Sequence, residues 1–405
     1  MSLRPRLGFA AVLTGLLFLS RFYPLPALKD AVTGLAVCDA GLYFPPLHLF
    51  FTPFYSLADL VACNSATQDI AFLFYLLLGC GLIFRLKRSL KSLALYWLLV
   101  AVFLAWAALI PHDFSGLRLN DPDILAVDFH SHTSHSWDGR ATFTPARNLA
   151  WHKRAGFDAG FITDHNKTAG AVDGKALSRL AWSSGQRAYA SLEGEELSLH
   201  DCHVVALGNS RHIDARQYLG LEGLKKFLNE AGAVHGALPL MSLPEYWKRG
   251  WQLREDYASW GAKGFEISNG APQGANFPED KRRTIIELCR RHNLFVAAAS
   301  DNHGYGSAGC AWNLMKIPGW QALDPDQRQR AVLETLRREE FKAVRVIIRN
   351  KIEPVYGDMI WVDTPRALWR MARCWTWPQS ISAFFWILLI ALPRPNSLRR
   401  LPIKA

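Results

Sequence analysis

Histidines and acidic residues are concentrated in residues 127–139, a stretch that reads VDFHSHTSHSWDG. It follows a short apolar run and holds His130, His132, His135 and Asp138. Alternate residues of a strand point to the same face, so His130 and His132 should emerge side by side. Two imidazoles directed at one point suit a transition-metal ion. Since an HxH pair alone is more often part of a polar loop, the prediction of a metal site depends on further clusters.

Three more clusters of the same residue types follow apolar runs. They are FITDHN (161–166), GEELSLHDCHVVALG (194–208) and LFVAAASDNHG (294–304). They contribute Asp164, His165, Glu195, Glu196, His203, Asp301 and His303. Each cluster lies where a predicted strand gives way to a loop, and barrel enzymes carry their catalytic residues at such strand ends. Together the four clusters have the residue types of one polynuclear metal site.

Four motifs of this chain, in this order, resemble those of the polymerase and histidinol phosphatase (PHP) domain of metal-dependent hydrolases, over about residues 122–350. The family's opening D-x-H-x-H-T and S-D-G appear as DFHSHT and SWDG, with one extra residue. The T-D-H motif corresponds to Thr163–His165, G-x-E to Gly194–Glu196 and D-x-H to Asp301–His303. The segment GFEISNG (264–270) also resembles a family segment.

The resemblance implies three sets of metal ligands. The first metal would bind His130, His132, Glu196 and Asp301, the second would share Glu196 and add His203, and the third would bind Asp138, His165 and His303. Glu196 fits the G-x-E spacing, whereas Glu195 would point to the opposite strand face. His135 is the alternative to Asp138, which we favour because the Asp-Gly pair fits the family's spacing. We therefore expect two or three divalent ions, and manganese, zinc and iron all accept such ligands.

The chain departs from the family at LPLMSLPEYW (238–247), where Leu243 precedes Pro244. Members of the family usually have a histidine before this proline, and leucine cannot bind a metal. The second metal is therefore expected to be weakly held, completed by water or by Glu245, or absent. His235 lies too far before the proline to replace the histidine, and we interpret it as a surface or turn residue.

Such a site predicts hydrolysis by a metal-bound hydroxide. A phosphoester fits this chemistry because the metals offset the phosphoryl charge, and Lys167 and Arg140 could add cationic contacts, although each could also be an ordinary loop charge. Asp164 is predicted to orient a ligand histidine or a water molecule instead of binding metal itself. His152 and His292 lie in basic, helix-like stretches and are predicted to be surface residues.

Two other functions stay open at this point. The SWDG variant and the stretch AWNLMKIPGW (311–320) resemble a subgroup that contains carbamate hydrolases, so a hydrolase of carbamate, ester or amide bonds is the first alternative. A noncatalytic metal-binding sensory module is the second alternative, and its direct support is Leu243. Substrate identity cannot be predicted, because specificity depends on loops and not on the fold.

Strands and helices alternate across the region that resembles the family. Strand candidates end near residues 129, 162, 197, 207, 242, 268, 299 and 348, and helix candidates cover 145–155, 221–231 and 279–292. This alternation predicts an α/β fold with a parallel sheet or barrel. The resemblance narrows this to a distorted (β/α)7 barrel. We assign this domain to residues 116–355.

Apolar segments outside this domain predict membrane spans. They are 7–20, 70–84, 92–111 and 377–393. Since the catalytic region has a core of its own, spans are favoured over buried core helices. Residues 1–115 then form a membrane region with about three spans, the first an uncleaved anchor. Residues 356–405 add a last span and a basic tail, and the proline-rich segment 43–62 is predicted to be interfacial.

The formal net charge of +11 comes from three short basic segments next to these apolar runs. They contain Arg4, Arg6, Arg85, Lys87, Arg88, Lys91, Arg394, Arg399, Arg400 and Lys404. The positive-inside rule places all three segments in the cytoplasm, so the metal domain should lie in the periplasm or outside the cell. Basic charge is thus a signal of topology and not of nucleic-acid binding. A small-molecule or lipid-linked substrate is expected.

Seven cysteines are present, and none lies in a C-x-x-C motif. Cys38 and Cys63 both fall in the external segment, where they could form a disulfide or remain two free thiols. Cys202, next to His203, is predicted to be a packing residue because no base for a nucleophile is evident beside it.

Overall fold

Helices and strands alternate between residues 124 and 349 of the computed structural model, which describes residues 3–185, 189–306, 308–351 and 360–391. The helices are α1 (Leu3–Phe22), α2 (Pro46–Phe50), α3 (Thr52–Ala62), α4 (Ala66–Lys87), α5 (Leu90–Leu109), α6 (Pro145–Ala155), α7 (Ala169–Ser183), α8 (Gly220–His235), α9 (Leu243–Gly250), α10 (Arg254–Trp260), α11 (Glu279–His292), α12 (Pro325–Glu339), α13 (Ile360–Cys374) and α14 (Trp377–Ala391). The strands are β1 (Leu28–Asp30), β2 (Ala40–Tyr43), β3 (Gly116–Leu119), β4 (Ile124–Asp128), β5 (Ala159–Ile162), β6 (Ala190–Leu199), β7 (Cys202–Leu207), β8 (Leu238–Ser242), β9 (Gly264–Asn269), β10 (Phe295–Ala299), β11 (Ala311–Lys316) and β12 (Arg345–Arg349).

Ten strands form one curled sheet in the order β1-β12-β11-β4-β5-β6-β7-β8-β9-β10. Strands β4 to β6 are parallel, as are β8 to β10, but β7 runs antiparallel to both of its neighbours. The reason is the connection between β6 and β7, where residues 200 and 201 are enough for a hairpin but not for a parallel crossover. The α/β class agrees with the prediction, whereas an all-parallel sheet does not.

The curled sheet is completed by side chains. Within the described residues, β10 forms a ladder with β9 alone. The amide of Asn313 on β11 bridges the gap: its Nδ2 donates to the carbonyls of Val127 (2.9 Å) and Ala298 (2.7 Å), and its Oδ1 accepts from the Ala298 amide. Asn313 therefore holds the edge strand β10 next to β11 and β4, and in place of the predicted (β/α)7 barrel the structure has a half-barrel sheet closed at this point by an amide side chain.

Aromatic rings fill the interior of the curled sheet. Phe129 lies just after β4, and its ring centroid is 6.0 Å from that of Phe161 and 6.1 Å from that of Phe295. All three side chains are fully buried. Their burial stabilises the part of the sheet that carries the strand ends. Each large apolar side chain removed from water contributes about 1.5–3 kcal/mol to the free energy of folding. The polar strand ends are built on this layer.

The N-terminal region is joined to the sheet and is not a separate unit. β1 pairs with β12 in the register Leu28↔Arg349, and β2 pairs with β3. The chain thus contributes an edge strand to the main sheet before it forms α4 and α5, and the domain boundary at residue 115 stays a prediction.

Among the described residues, two helices, α4 and α5, are long and apolar enough to cross a membrane. In the most apolar 18-residue stretch of each helix, only 6% is buried. Ser65 begins α4 with a capping box that includes Gln68. The first apolar segment is shorter, Leu7–Phe22 within α1. The last predicted span begins with α14, and its residues 392–393 and the basic tail lie outside the described residues. Segment 43–62 forms α2 and α3.

Neither of the two alternatives for Cys38 and Cys63, a disulfide between them or two free thiols, is what the structure shows. Cys63 forms a disulfide with Cys310, their Cα atoms being 5.7 Å apart, and Cys38 is an exposed free thiol. The fold brings the junction of α3 and α4 against the loop before β11, a contact between positions 247 residues apart. Cys202 is buried in the core, in agreement with its predicted packing role.

Candidate metal centre

The four sequence clusters meet at one edge of the curled sheet. His130 and His132 follow β4, His165 follows β5, and Asp301 and His303 follow β10. Glu196 and His203 lie within the hairpin of β6 and β7. The structure thus brings together all eight predicted metal ligands: His130, His132, Asp138, His165, Glu196, His203, Asp301 and His303.

Glu196 lies at the centre of this cluster. Its Oε2 is 3.1 Å from His130 Nε2, 3.3 Å from His132 Nε2 and 2.9 Å from His165 Nδ1. Its Oε1 is 2.7 Å from His203 Nδ1. One carboxylate therefore faces four imidazoles, as a bridging ligand between neighbouring ions would.

Glu195 points to the other face of β6, as strand alternation predicts. Its carboxylate is buried and is 2.6 Å from His212 Nδ1, and it accepts hydrogen bonds from the Asn209 side chain and the Ile213 amide. The structure therefore places Glu196, not Glu195, in the cluster.

Asp301 occupies a backbone conformation that non-glycine residues seldom adopt, with φ +47°. Its amide donates to the His130 carbonyl (2.9 Å), which holds the residue in place. In this position Oδ1 lies 3.0 Å from His132 Nε2 and 3.5 Å from His130 Nε2. Strained backbone of this kind is common where a side chain must be aimed at a functional site.

Asp138 joins the cluster from the SWDG turn. Its Oδ2 lies 3.2 Å from His165 Nε2 and 3.3 Å from His303 Nε2. The turn requires Gly139, since a Cβ there would come within 1.9 Å of the Thr133 carbonyl oxygen. The alternative ligand, His135, turns outward and pairs with the exposed Asp173 at 3.3 Å.

The donor atoms fit a group of divalent ions. Three overlapping sets each have all their ligand atoms within 4.8 Å of one another: His130, His132 and Glu196; His165, Glu196 and His203; and His132, His165 and His303. The carboxylates cannot pair with every imidazole separately, since Glu196 Oε2 alone lies within 3.3 Å of three ring nitrogens. Several ligand atoms around one point are typical of a metal site.

Three imidazoles of the cluster favour their protonated form. Burial lowers the pKa of His130, His165 and His303, but the facing carboxylates, chiefly Glu196 and Asp138, outweigh that effect. The pKa of His130 lies well above its ordinary value, and those of His165 and His303 rise to about 10 and about 9. In the absence of metal, these three imidazoles are therefore protonated at neutral pH.

The carboxylates shift the other way. Burial raises the pKa of Glu196, Asp301 and Asp138, but the surrounding imidazoles hold each pKa below its ordinary range. The cluster is thus built of ionised carboxylates around cations. A divalent ion placed among them would take over the charge that the protons carry.

Glu266 on β9 is a functional residue that sequence reasoning missed. Its Oε1 lies 2.8 Å from His130 Nδ1, and its Oε2 accepts hydrogen bonds from Ser242 Oγ (2.9 Å) and Asn269 Nδ2 (3.0 Å). A carboxylate on the far nitrogen of a ligand histidine fixes the ring and its tautomer. The GFEISNG segment was the available signal, since it places a glutamate in an otherwise apolar strand.

Asp164 also supports the cluster from behind. It is buried, and its two oxygens accept hydrogen bonds from the Thr133 amide (2.6 Å) and the Thr133 hydroxyl (2.8 Å). It therefore fixes the turn that follows His132 rather than a ligand ring. Its predicted orienting role acts on the backbone.

The two cations predicted to contact substrate point elsewhere. Arg140 Nη1 donates to the Leu109 carbonyl (2.6 Å) at the end of α5, and Lys167 Nζ donates to the His135 carbonyl (2.9 Å). Both side chains therefore bond to backbone carbonyls, one at a helix end and one in a turn. The expectation that they line the metal centre is therefore not met by this geometry.

His152 is not a surface residue, as the basic stretch around it suggested. It is fully buried, with Nε2 2.8 Å from Asp128 Oδ2 and Nδ1 2.9 Å from the Asn148 carbonyl. α6 buries one face against the sheet, and His152 lies on that face. His292, by contrast, is exposed and lies 3.3 Å from Glu255, while His235 is half-buried at the end of α8.

Leu243 begins α9 and is fully buried in the apolar core, where it packs as a hydrophobic side chain. The next residues return to the site. Tyr246 places its hydroxyl 2.9 Å from His203 Nε2, and Glu245 lines the cavity beside Asp301. Burial, reinforced by the charges of Asp301 and Glu196, raises the pKa of Glu245 to about 8.

A cavity of about 630 Å³ opens beside the cluster. Asp138, Asp301, His303 and Glu245 line one wall, and Tyr305 lies at its edge. Within the described residues the lining includes no lysine or arginine. The cavity is large enough for a small organic substrate.

No family model matches this chain, and no curated protein sequence matches it. Solved structures with partial similarity include a two-domain protein of Bacteroides vulgatus that contains a predicted PHP-like metal-dependent phosphoesterase. It is 16% identical, with a TM-score of 0.38, and the match covers 56% of this chain and 66% of that one. The present chain thus spans slightly less than two thirds of that protein.

Two further structures match in part. A candidate metal-dependent phosphoesterase of Bifidobacterium adolescentis is 18% identical over 44% of this chain and 88% of that one, with a TM-score of 0.32. An amidohydrolase of Chromobacterium violaceum is 17% identical over 55% of this chain and 97% of that one, with a TM-score of 0.33. The function of this chain therefore has to be argued from its own side chains.

Proposed function

We propose that this protein is a metal-dependent hydrolase that cleaves a phosphomonoester or phosphodiester. The observation that carries the proposal is the convergence of histidine and glutamate side chains, from within or just after five strands, in three overlapping groups whose ligand atoms all lie within 4.8 Å of one another. A structural histidine needs one or two polar neighbours, whereas a metal ion needs several ligand atoms at one point.

The residues that would hold the ions are His130, His132, Glu196 and Asp301 in one group, with His165, His203, His303 and Asp138 around it. Divalent ions, when bound there, supply Lewis acidity and make a hydroxide nucleophile available at neutral pH. The chain itself orients the ligands: Glu266 holds the His130 ring, and Asp164 holds the turn after His132.

The test is turnover of 4-nitrophenyl phosphate and of bis(4-nitrophenyl) phosphate by the full chain supplied with manganese, zinc or iron. We expect metal-dependent release of nitrophenolate that disappears in His130→Ala. The control is His292→Ala, which removes an exposed imidazole and should leave turnover unchanged. Absence of turnover with every metal across a broad phosphoester panel would refute the proposal and favour a noncatalytic metal-binding module.

A second candidate, hydrolysis of a carbamate, ester or amide bond, is favoured by the cavity lining. The described lining carries four carboxyl groups, Asp69, Asp138, Glu245 and Asp301, and no lysine or arginine. A neutral acyl substrate would suit such a wall better than a phosphate unless the metals offset the charge. Side-by-side kcat/KM values for aryl carbamates and aryl phosphates decide between the two candidates.

We also propose that α1, α4, α5 and α14 anchor the protein in a membrane. The apolar surfaces of α4 and α5 are exposed. The turn that joins the two helices lies at the end far from the metal centre and carries Arg85, Lys87, Arg88 and Lys91. By the positive-inside rule these cations face the cytoplasm and the metal centre faces the periplasm or cell exterior. A reporter fused after residue 115 should be active only outside the cytoplasm, and a cytoplasmic signal would contradict this orientation.

A further inference from the structure

The cavity beside the metal centre has two walls of different origin. The first carries the charged side chains of the metal centre described above. The second is made by the ends of the apolar helices, and its members are Val61 and Ala62 at the end of α3, Ala66 at the start of α4, and Ala107 and Ala108 near the end of α5. A single space of about 630 Å³ therefore connects the metal centre with the helices.

Fixed contacts hold the helix ends at this position. The Gly306 amide donates to the Ala108 carbonyl (3.1 Å), and the Ala66 amide donates to the Pro272 carbonyl (2.9 Å). The Cys63–Cys310 disulfide joins the α3–α4 junction to the loop that follows His303. The second wall is therefore part of the site and not a chance neighbour.

The second wall is mainly small and apolar. Its polar members, Asn64 and Asp69, bond to each other, with Asn64 Nδ2 donating to Asp69 Oδ1 at 3.3 Å. The first wall, in contrast, holds the charged groups of the metal centre, among them Asp301 Oδ1, which lies 3.0 Å from His132 Nε2. A ligand that satisfies both walls has a polar end for the metal centre and a hydrocarbon end for the alanines.

From the cavity, α4 and α5 continue as one apolar surface. Ile70 and Leu73 on α4 are 59% and 49% exposed, and Leu99 and Val102 on α5 are 60% and 58% exposed. A hydrocarbon chain that leaves the cavity along this hairpin stays in contact with apolar side chains until it reaches the lipid. A substrate soluble in water would gain nothing from this path.

We infer that the substrate is an amphiphile, in which a hydrolysable polar head is joined to a hydrocarbon chain. The polar head occupies the metal centre, and the hydrocarbon chain passes between the start of α4 and the end of α5. This inference rests on the proposed hydrolase function and adds the substrate class to it. It also gives the apolar helices a second role, as part of the substrate site as well as the anchor.

The test compares matched substrates that differ in chain length alone. Butyl and hexadecyl phosphate, their 4-nitrophenyl diesters, and 4-nitrophenyl N-butyl- and N-hexadecylcarbamate are supplied to the full chain in the same non-ionic micelles. For the bond class that the enzyme cleaves, we expect kcat/KM to be at least ~tenfold higher for the hexadecyl compound, since its chain buries apolar surface against the wall. Equal values for the two chain lengths would overturn the inference.

Variants of the second wall test where the hydrocarbon chain of the substrate lies. Ala66→Phe and Ala108→Phe fill the cavity from the helix side and should reduce the ratio of hexadecyl to butyl kcat/KM. Ala233→Phe adds the same ring to an exposed position of α8, which does not line the cavity, and should keep the wild-type ratio. Metal content, measured for each variant, shows that the site is intact. An unchanged ratio in both wall variants would refute the path, whereas no turnover of any compound by the wild type would refute the hydrolase proposal itself.

Discussion

The metal centre and the pair His152–Asp128 are made of the same residue types and lie near the end of β4, which Asp128 closes and which His130 and His132 follow. In the pair, every polar atom of the imidazole has a partner: His152 Nε2 faces Asp128 and Nδ1 faces the Asn148 carbonyl. In the metal centre, the single carboxylate of Glu196 is shared by four imidazoles, at distances of 2.7 to 3.3 Å. The pair stabilises the fold, whereas the centre keeps its atoms available for ions.

This difference teaches that burial alone does not distinguish a structural histidine from a ligand. What distinguishes them is whether each ring nitrogen has a partner of its own, as in His152, or several imidazoles share one carboxylate, as around Glu196. Several ligand atoms around one point are typical of a metal site. Substitutions in the two regions should therefore have different effects.

The largest effect is expected for His132→Ala. It removes a nitrogen that faces both Glu196 and Asp301, so metal should be lost. Loss of several kcal/mol of transition-state stabilisation corresponds to a fall of about 1000-fold in kcat/KM. Steady-state kinetics with metal analysis of the same samples checks this. A variant that keeps full activity would make the metal centre no different from the structural pair.

Metal affinity should rise with pH. In the metal-free protein the pKa of His303 is about 9 and that of His165 about 10, so both are protonated at pH 7.5 and must lose their protons when metal binds. Each proton displaced makes the apparent affinity rise by about tenfold per pH unit until the pH passes these values. Calorimetric titration with zinc in buffers of different ionisation enthalpy measures the release. No proton release would contradict the raised pKa values.

Glu266→Gln tests the carboxylate behind the His130 ring. It keeps the size of the side chain but removes the charge that orients the ring, and changes of this kind lower metal affinity by about 10–100-fold. The ratio of metal dissociation constants for the variant and the wild type is the measurement. Because Gln retains an oxygen for Ser242 and Asn269, the fold should persist, and an unchanged affinity would exclude a positioning role.

His152→Leu should affect stability and not metal binding. The substitution leaves Asp128 Oδ2 buried without its imidazole partner, which costs about 3 kcal/mol. A lowered thermal midpoint with a normal metal content per folded chain is the expected result. Loss of metal with unchanged stability would reverse the assignment of the two regions.

The smallest effects belong to Arg140→Ala and Lys167→Ala. Both side chains bond to backbone carbonyls, so their removal should change kcat/KM by less than about threefold, as expected for exposed charges. The sequence-based expectation of phosphate contacts predicts a larger loss for each. A fall of 100-fold in either variant, measured with an aryl phosphate, would restore that expectation.

Much of the centre could be predicted because its geometry is local. Strand alternation separates Glu195 from Glu196, and apolar runs mark the strand ends that carry the histidines. The strands from β4 to β12 were predicted for the same reason, apart from β11, whose AWNLMK stretch is interrupted by a polar residue, whereas the short strands β1 to β3 were not predicted. That residue, Asn313, joins β10 to β4 by contacts that no local pattern reveals.

The remaining features depend on contacts between distant parts of the chain. His152 lies in a basic stretch that is typical of a surface helix, yet its partner Asp128 is 24 residues away. Cys63 reaches Cys310 across 247 residues, and Cys38, which is closer in sequence, stays free. Spacing rules cannot predict such pairs, because they are fixed when the sheet curls and the helices pack against it.

The most direct test of the central claim is the number of ions that the full chain binds. Elemental analysis after reconstitution with manganese, zinc or iron should give two or three ions per chain for the wild type and fewer for His132→Ala, with the wild-type number for His152→Leu. A wild-type protein without bound metal, or a His132→Ala variant that binds the same number of ions, would contradict the account.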